Sequence, residues 1–201
     1  MYLSLLRINT LDRKAIHTLT DVYRLHEFVM SGFARYDPAG RVLFRVEPET
    51  NDQKKTILVQ SDFKPSWSSG TDKTTSFFSV QCKSITPSFQ NGRRYRFRLR
   101  VNPTVTRNGK RYGLVGEEAI INWLQKRIPR IGAKFPSLSI IDEGYLRGRK
   151  AKKGSQHQIN IKVARFDGIL EIVDFELFNN TFRNGIGAAK AFGCGMLSLA
   201  K

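Results

Sequence analysis

TPSFQNGRRYRFRLRV, Thr86 to Val101, contains both a chain boundary and the first strand of a second folding unit. Its opening, TPSFQNG, gathers Pro, Asn and Gly, the residues that set turns and interrupt regular structure. From Arg94 onward the pattern changes. Tyr95, Phe97, Leu99 and Val101 alternate with Arg94, Arg96, Arg98 and Arg100. A strand sends successive side chains to opposite faces, so one face is apolar and the other carries four arginines spaced about 7 Å apart. A solvated face of an antiparallel sheet shows the same alternation. Four like charges on one strand repel, however, and a polyphosphate partner would remove that cost.

The same kind of reading extends to both sides of the boundary. Before it, strand Tyr2–Asn9 is expected, then a helix around Asp21–Ala34 and strands near Val42–Val46 and Thr56–Ser61. Residues 62–75 are polar and turn-rich and hold a short helix at most, before a last strand over Ser76–Lys83. After the boundary come the Arg94–Val101 strand and a helix over Glu117–Ile128, expected to stop at Pro129. Strands are then expected near Leu138–Ile141, Ile159–Phe166 and Ile169–Val173, then a helix around Phe175–Arg183 and a final strand near Met196–Leu199. Each half therefore has the order β-α-β-β-α-β. That order predicts an α+β protein of two tandem ferredoxin-like domains with antiparallel sheets, over residues 1–86 and 93–201. The two halves do not visibly repeat in sequence, so the symmetry rests on the order of elements.

The chain has 201 residues, 40% of them hydrophobic, enough to build a buried core. Lys and Arg number 34 against 17 Asp and Glu, a net charge of +17. Such an excess favours a polyanionic partner, nucleic acid first and an anionic membrane surface second. No apolar run reaches the ~18 residues that span a bilayer, and MYLSLLRINTLDRK lacks the order of a signal peptide. The expectation is a cytoplasmic protein, monomeric on its own. Cys82 and Cys194 stand far apart and form no CxxC, so they read as free, mostly buried thiols.

Candidate chemistry lies first in DVYRLHEFV, Asp21 to Val29. Val22, Leu25, Val29 and Phe33 make one apolar helical stripe, with Asp21 as N-cap. His26 falls on the edge of that stripe and Tyr23 about 60° further round, within reach of a common ligand. An imidazole exchanges a proton near neutral pH, and a phenol hydrogen-bonds a phosphate or orients a nucleophile. The same spacing also describes two half-buried packing residues. His17 and His157 are the only other histidines, and nothing has metal-ligand spacing, so any catalysis is expected to need neither metal nor cofactor.

Three further segments are basic or glycine-rich. YLRGRKAKKGSQHQ holds Arg147, Arg149, Lys150, Lys152 and Lys153 and reads as a flexible hairpin tip or loop able to enter an RNA groove. TRNGKR, with Lys110 and Arg111, is a basic turn of the same kind. GIGAAKAFGCG places Gly185 and Gly187 around Ile186, then Lys190, then Gly193 and Gly195 around Cys194. Glycine lets backbone N–H groups approach a phosphate. The spacing fits neither a P-loop nor a dinucleotide fingerprint, and tight turns of positive φ would demand glycines too.

The glycine-rich ending resembles the signature of the repeat-associated RNA-binding (RAMP) proteins of CRISPR systems. The whole chain resembles the CasE family of CRISPR endoribonucleases. The matching pieces are MYLS at the start, YRLH at Tyr23–His26, LFRVEP at Leu43–Pro48 and LVQS at Leu58–Ser61. FRLRVNP at Phe97–Pro103, INWLQKR at Ile121–Arg127 and the GIGAAKAFGCGMLSLA ending complete them. The resemblance implies two ferredoxin-like domains and metal-independent cleavage of precursor CRISPR RNA at the base of the repeat hairpin. It implies attack by the 2′-OH, a 2′,3′-cyclic phosphate and 5′-hydroxyl as products, and retention of the guide in Cascade beside its other subunits. His26 would be the general acid or base and Tyr23 a positioning group, with Arg147, Arg149 and Lys150 on the hairpin stem. Glu27 stands where relatives often carry a base. Lys190 or a basic-loop residue would stabilise charge on the phosphorane. A RAMP-type RNA-binding subunit without cleavage activity is the other reading of the same charge and glycines.

Overall fold

The computed structural model describes residues 1–33, 40–48, 53–67, 77–152 and 155–200, with no side-chain description at 151, 152, 155 and 156. Two compact units result. The first comprises Met1–Thr86 with Arg147–Asn160 and Ala191–Gly193; the second comprises Pro87–Leu146, Ile161–Lys190 and Cys194–Lys201. Two late segments of sequence thus belong to the first unit.

In the first unit β1 (Tyr2–Asn9) leads into α1 (Arg13–Leu19) and α2 (Val22–Met30), then β2 (Val42–Val46), β3 (Lys54–Ser61) and β4 (Phe78–Ser84). The sheet order is β2-β3-β1-β4, with every neighbouring pair antiparallel. This is the strand order a split β-α-β pair produces. Alternation along β1 buries Leu6 and Ile8, and the helical stripe of α2 buries Leu25 and Val29 against them. Trp67 closes this core and donates its indole N–H to the Val29 carbonyl at 3.1 Å, so its polar edge is satisfied inside the apolar cluster.

Two helices stand between β1 and β2 where one was expected. Asp12 caps α1 through the Lys14 and Ala15 N–H groups, but only Ala15 of its seven residues is buried. α2 ends at Met30, short of the expected Ala34, which lies outside the described residues together with Ser76 and residues 68–75.

In the second unit β5 (Arg94–Val101) is followed by the short strands β6 (Thr104–Arg107) and β7 (Lys110–Gly113) and by α3 (Glu117–Gln125). Then come β8 (Ala133–Lys152), β9 (Ser155–Ile172), α4 (Phe175–Asn184) and β10 (Leu197–Ala200). The order β10-β5-β9-β8 repeats the strand order of the first sheet. Asn108 and Gly109 both have positive φ and close the β6–β7 hairpin, the backbone that a two-residue primed turn requires. Pro129 does not stop α3. The helix has already ended at Gln125, and Pro129 sits in a 3-10 turn over Ile128–Arg130.

The three strands expected between 138 and 173 are in fact two long ones, and the expected basic loop is strand as far as Lys152. Gly168 explains the apparent break in β9. A Cβ there would collide with the Ser137 carbonyl oxygen of β8, so the strand continues through a residue with no side chain.

Candidate active site

α2 begins at Asp21, whose Oδ1 accepts hydrogen bonds from the Tyr23 N–H at 2.8 Å and the Arg24 N–H at 3.2 Å. The cap fixes the first turn, and the turn carries Tyr23 and, one residue short of a further turn, His26. Their ring centroids are 6.4 Å apart. The Phe192 ring stands edge-on to His26 at 5.9 Å, and the Lys150 Nζ lies 5.3 Å from the centre of the Tyr23 ring. All of these residues belong to the first unit.

His26 is half-buried, and its Nδ1 is buried with no hydrogen-bond partner among the described residues. Burial disfavours the imidazolium and holds the pKa below its ordinary value of 6.5. The Ala191 main chain and the Glu27 carboxylate act in the opposite direction without overcoming it, and the Lys150 ammonium adds to the depression. No hydrogen bond of ordinary geometry joins Nδ1 to Ala191. The shift favours the neutral imidazole, the form able to take a proton from a hydroxyl. A neighbouring phenol and ammonium can hydrogen-bond and neutralise an anionic group. Ala191 and Phe192 were not singled out in the sequence, because nothing in GIGAAKAFGCG signals that its middle approaches a helix about 165 residues earlier. His17 lies instead in α1, exposed, with its ring against the Arg24 guanidinium.

The arginine strand is less free than its sequence suggests. Register places Glu171 opposite Arg94, Ile169 opposite Arg96 and Asp167 opposite Arg98. Arg94 Nε pairs with Glu171 Oε2 at 2.7 Å, Arg98 Nε with Asp167 Oδ1 at 2.7 Å, and Arg100 Nε with Glu143 Oε2 at 2.6 Å. Arg165 bridges Glu143 and Asp167. The repulsion expected along β5 is thus relieved by the sheet itself. Arg96, facing Ile169, has no ion-pair partner among the described residues.

Arg147 and Arg149 are exposed on β8, and Lys110 and Arg111 are exposed in the β6–β7 hairpin. Lys153 and the Lys152 side chain lie outside the described residues. Lys190 is half-buried and belongs to the second unit. The four glycines of the C-terminal signature all have positive φ. The Gly185 N–H donates to Thr181 and the Gly195 N–H to Arg100 at 2.6 Å, while the Gly195 carbonyl accepts from Ile186. These two N–H groups are used to fold the loop. A Cβ at Gly187 would lie 3.0 Å from the Trp123 ring, and one at Gly193 would lie 3.1 Å from Phe44. Turn backbone and close packing each call for glycine at these positions.

Cys194 is buried and free, its thiol pushed up to about 12 chiefly by burial. Cys82, expected inside, is exposed on β4, a strand at the edge of its sheet. Among the described residues no cluster of three or more His, Cys, Asp or Glu side chains is arranged to hold a metal ion. No helix among them is long and apolar enough to cross a membrane.

Two antiparallel sheets of identical strand order, each with its helices, define an α+β protein of tandem ferredoxin-like domains. The family described as CRISPR associated protein matches residues 1–201. The CRISPR-associated endoribonuclease Cse3 of Thermus thermophilus is 31% identical over 212 residues, covering 100% of both chains. The Cascade subunit CasE of Escherichia coli is 31% identical over 196 residues, covering 90% of this chain and 92% of the relative. Thermus thermophilus Cse3 bound to an RNA representing a pre-cleavage complex superposes with a TM-score of 0.85 at 30% identity, covering 100% of this chain and 98% of that one. The chain belongs to the CasE/Cse3 family of CRISPR-associated proteins.

Proposed function

We propose that this protein is the endoribonuclease that cuts precursor CRISPR RNA at the base of the repeat hairpin and keeps the guide as a Cascade subunit. The observation that carries the reading is the half-buried His26 beside Tyr23 and Lys150, in a chain whose relatives bear the name endoribonuclease. The 2′-OH next to the scissile phosphate attacks phosphorus in line. Its proton passes to the His26 imidazole, the P–O5′ bond breaks, and the 5′ oxygen leaves and takes up a proton from water, while the His26 imidazolium returns its own to solvent. The products are a 2′,3′-cyclic phosphate and a 5′-hydroxyl. Tyr23 hydrogen-bonds and orients the phosphate, and Lys150 neutralises the charge that builds on it. This sequence of steps needs proton transfer and charge stabilisation but no metal ion. Arg147, Arg149 and Lys150 grip the stem, and Arg96, Lys110 and Arg111 supply further phosphate contacts.

Incubation of the protein with a labelled repeat-hairpin RNA in excess EDTA tests this, with a 2′-deoxy substitution at the scissile nucleotide as the second substrate. A single cut that survives EDTA and disappears with the deoxy substrate is expected. Tight binding with no cut, across several repeat sequences, would leave the protein as an RNA-binding subunit.

A further inference from the structure

Asp21 makes one contact that a helix cap does not need. Its Oδ1 holds the first turn of α2, while its Oδ2 accepts the Arg149 N–H of β8 at 2.9 Å. β8 is the outer strand of its sheet, so N–H groups on its outer side have no strand partner and take another acceptor. The residue before Arg149 shows how close the approach is. Gly148 is buried, and a Cβ there would lie 2.7 Å from Val22 Cγ1, 2.8 Å from Asp21 Oδ1 and 3.0 Å from the Tyr23 nitrogen. Only glycine lets the strand lie against the start of this helix. Strand alternation then orients the neighbouring side chains: Gly148 and Lys150 share one face, while Arg147 and Arg149 point away and are exposed. With Gly148 seated on Val22 and Tyr23, Lys150 is directed at the Tyr23 ring, where its Nζ is found.

We propose that Asp21 is a positioning residue for the cleavage reaction: together with Gly148 it clamps the basic segment of β8 onto the N-terminus of α2 and so sets where Lys150 stands relative to Tyr23 and His26. The inference rests on the endoribonuclease reading above. The carboxylate is suited to this because it has two oxygens and no proton, so one oxygen serves the helix and the other the strand. An amide cannot do both. An asparagine caps a helix about as well as an aspartate, but it presents an NH2 donor where the Arg149 N–H needs an acceptor.

The test is Asp21→Asn, with Lys150→Met and the double variant beside it. Cleavage of hairpin RNA is measured in single turnover at saturating protein, together with hairpin affinity and the titration of the His26 ring by NMR in the protein alone. The charged side chains acting on that ring are Glu27 and Lys150, with Tyr23 beside it. Asp21→Asn is expected to slow the cut by about 10- to 100-fold, the scale of a misplaced catalytic group, with affinity nearly unchanged. The His26 midpoint should move up, because the Lys150 ammonium has drawn away. Lys150→Met should reproduce the slower cut and the shifted midpoint, with a loss of affinity of its own from the stem contact, and at saturating protein the double variant should cut no more slowly than Lys150→Met alone. Gly148→Ala keeps the Asp21 carboxylate but pushes the strand off the start of α2, and carries the same test should Asp21→Asn fail to fold. An unchanged rate and midpoint in Asp21→Asn, or effects of Asp21→Asn and Lys150→Met that multiply, would make Asp21 a helix cap only. If the wild-type protein cuts no hairpin while the midpoint still moves, the clamp stands and the nuclease reading falls.

Discussion

A histidine beside a phosphate has to resist becoming an imidazolium if it is to accept a proton from the 2′-OH. His26 does so through its position: the ring edge carrying Nδ1 is inside the protein, where the charged form is poorly solvated. Its midpoint lies below 6.5, so protons leave the ring as pH rises through that lower value. The rate of a reaction that needs the neutral ring should therefore rise with pH below the midpoint and level off above it. Glu27 and Lys150 displace the midpoint in opposite senses. Removing the Lys150 charge should move the rise to higher pH, and Glu27→Gln should move it lower still than in the wild-type protein. His26→Ala should slow cleavage by about 10²- to 10⁴-fold with hairpin affinity nearly unchanged. A large loss of affinity would instead make His26 a binding or core residue. The residue pair itself was legible in the sequence, because i and i+3 on a capped helix must lie near one another. Its partners were not. Phe192, Ala191 and Lys150 arrive from distant segments of chain, and no periodicity encodes that.

At the scale of elements, strict alternation made β5 readable from end to end, since period 2 is unambiguous when one face is all arginine. The same arginines concealed their own neutralisation. Glu171, Asp167 and Glu143 lie far along the chain, and their pairing with β5 exists only once register is set. α1 was missed because a seven-residue helix with a single buried side chain has no stripe to detect, although its Asp12 cap is an ordinary start signal. β8 and β9 read as fragments because glycines and charges interrupt their alternation. The paired and unpaired arginines of β5 should separate by experiment. In the Arg98–Asp167 pair the side chains are 34% and 26% exposed. Burial works against the Asp167 charge, yet its hydrogen bonds and attraction to Arg98 and Arg165 hold the carboxyl below its usual range. Arg98→Ala removes part of that balance, at a cost of about 1–3 kcal/mol, nearer the lower figure because water screens the pair. Arg96→Ala should change stability by less than about 0.5 kcal/mol and show its loss in hairpin affinity. Urea unfolding and hairpin binding of the two variants check this. Equal losses of affinity with no difference in stability would mean that the carboxylates release their arginines to RNA.

Over the whole molecule, a charge of +17 is too large for the ion pairs of one sheet to explain or to absorb. Carboxylates neutralise arginines in the interior rows of the second sheet, while Arg147, Arg149, Lys150, Lys110 and Arg111 stand in water. Exposed cations of this kind repel one another in the free protein and lower that repulsion when a phosphate chain displaces its counterions. If about five phosphates are neutralised, log affinity falls against log salt with a slope of about −4 to −5. From 50 to 200 mM salt that amounts to a loss of several hundred-fold, to order of magnitude. Each of Arg147→Ala and Arg149→Ala should reduce the slope by about 1. Arg98→Ala, whose charge is already answered by Asp167, should leave the slope nearly unchanged. Hairpin affinity measured across that salt range in the wild-type protein and the three variants decides the matter. A flat response would remove phosphate contact as the reason for the basic surface, and equal changes in all three slopes would mean that paired and unpaired arginines meet the RNA alike.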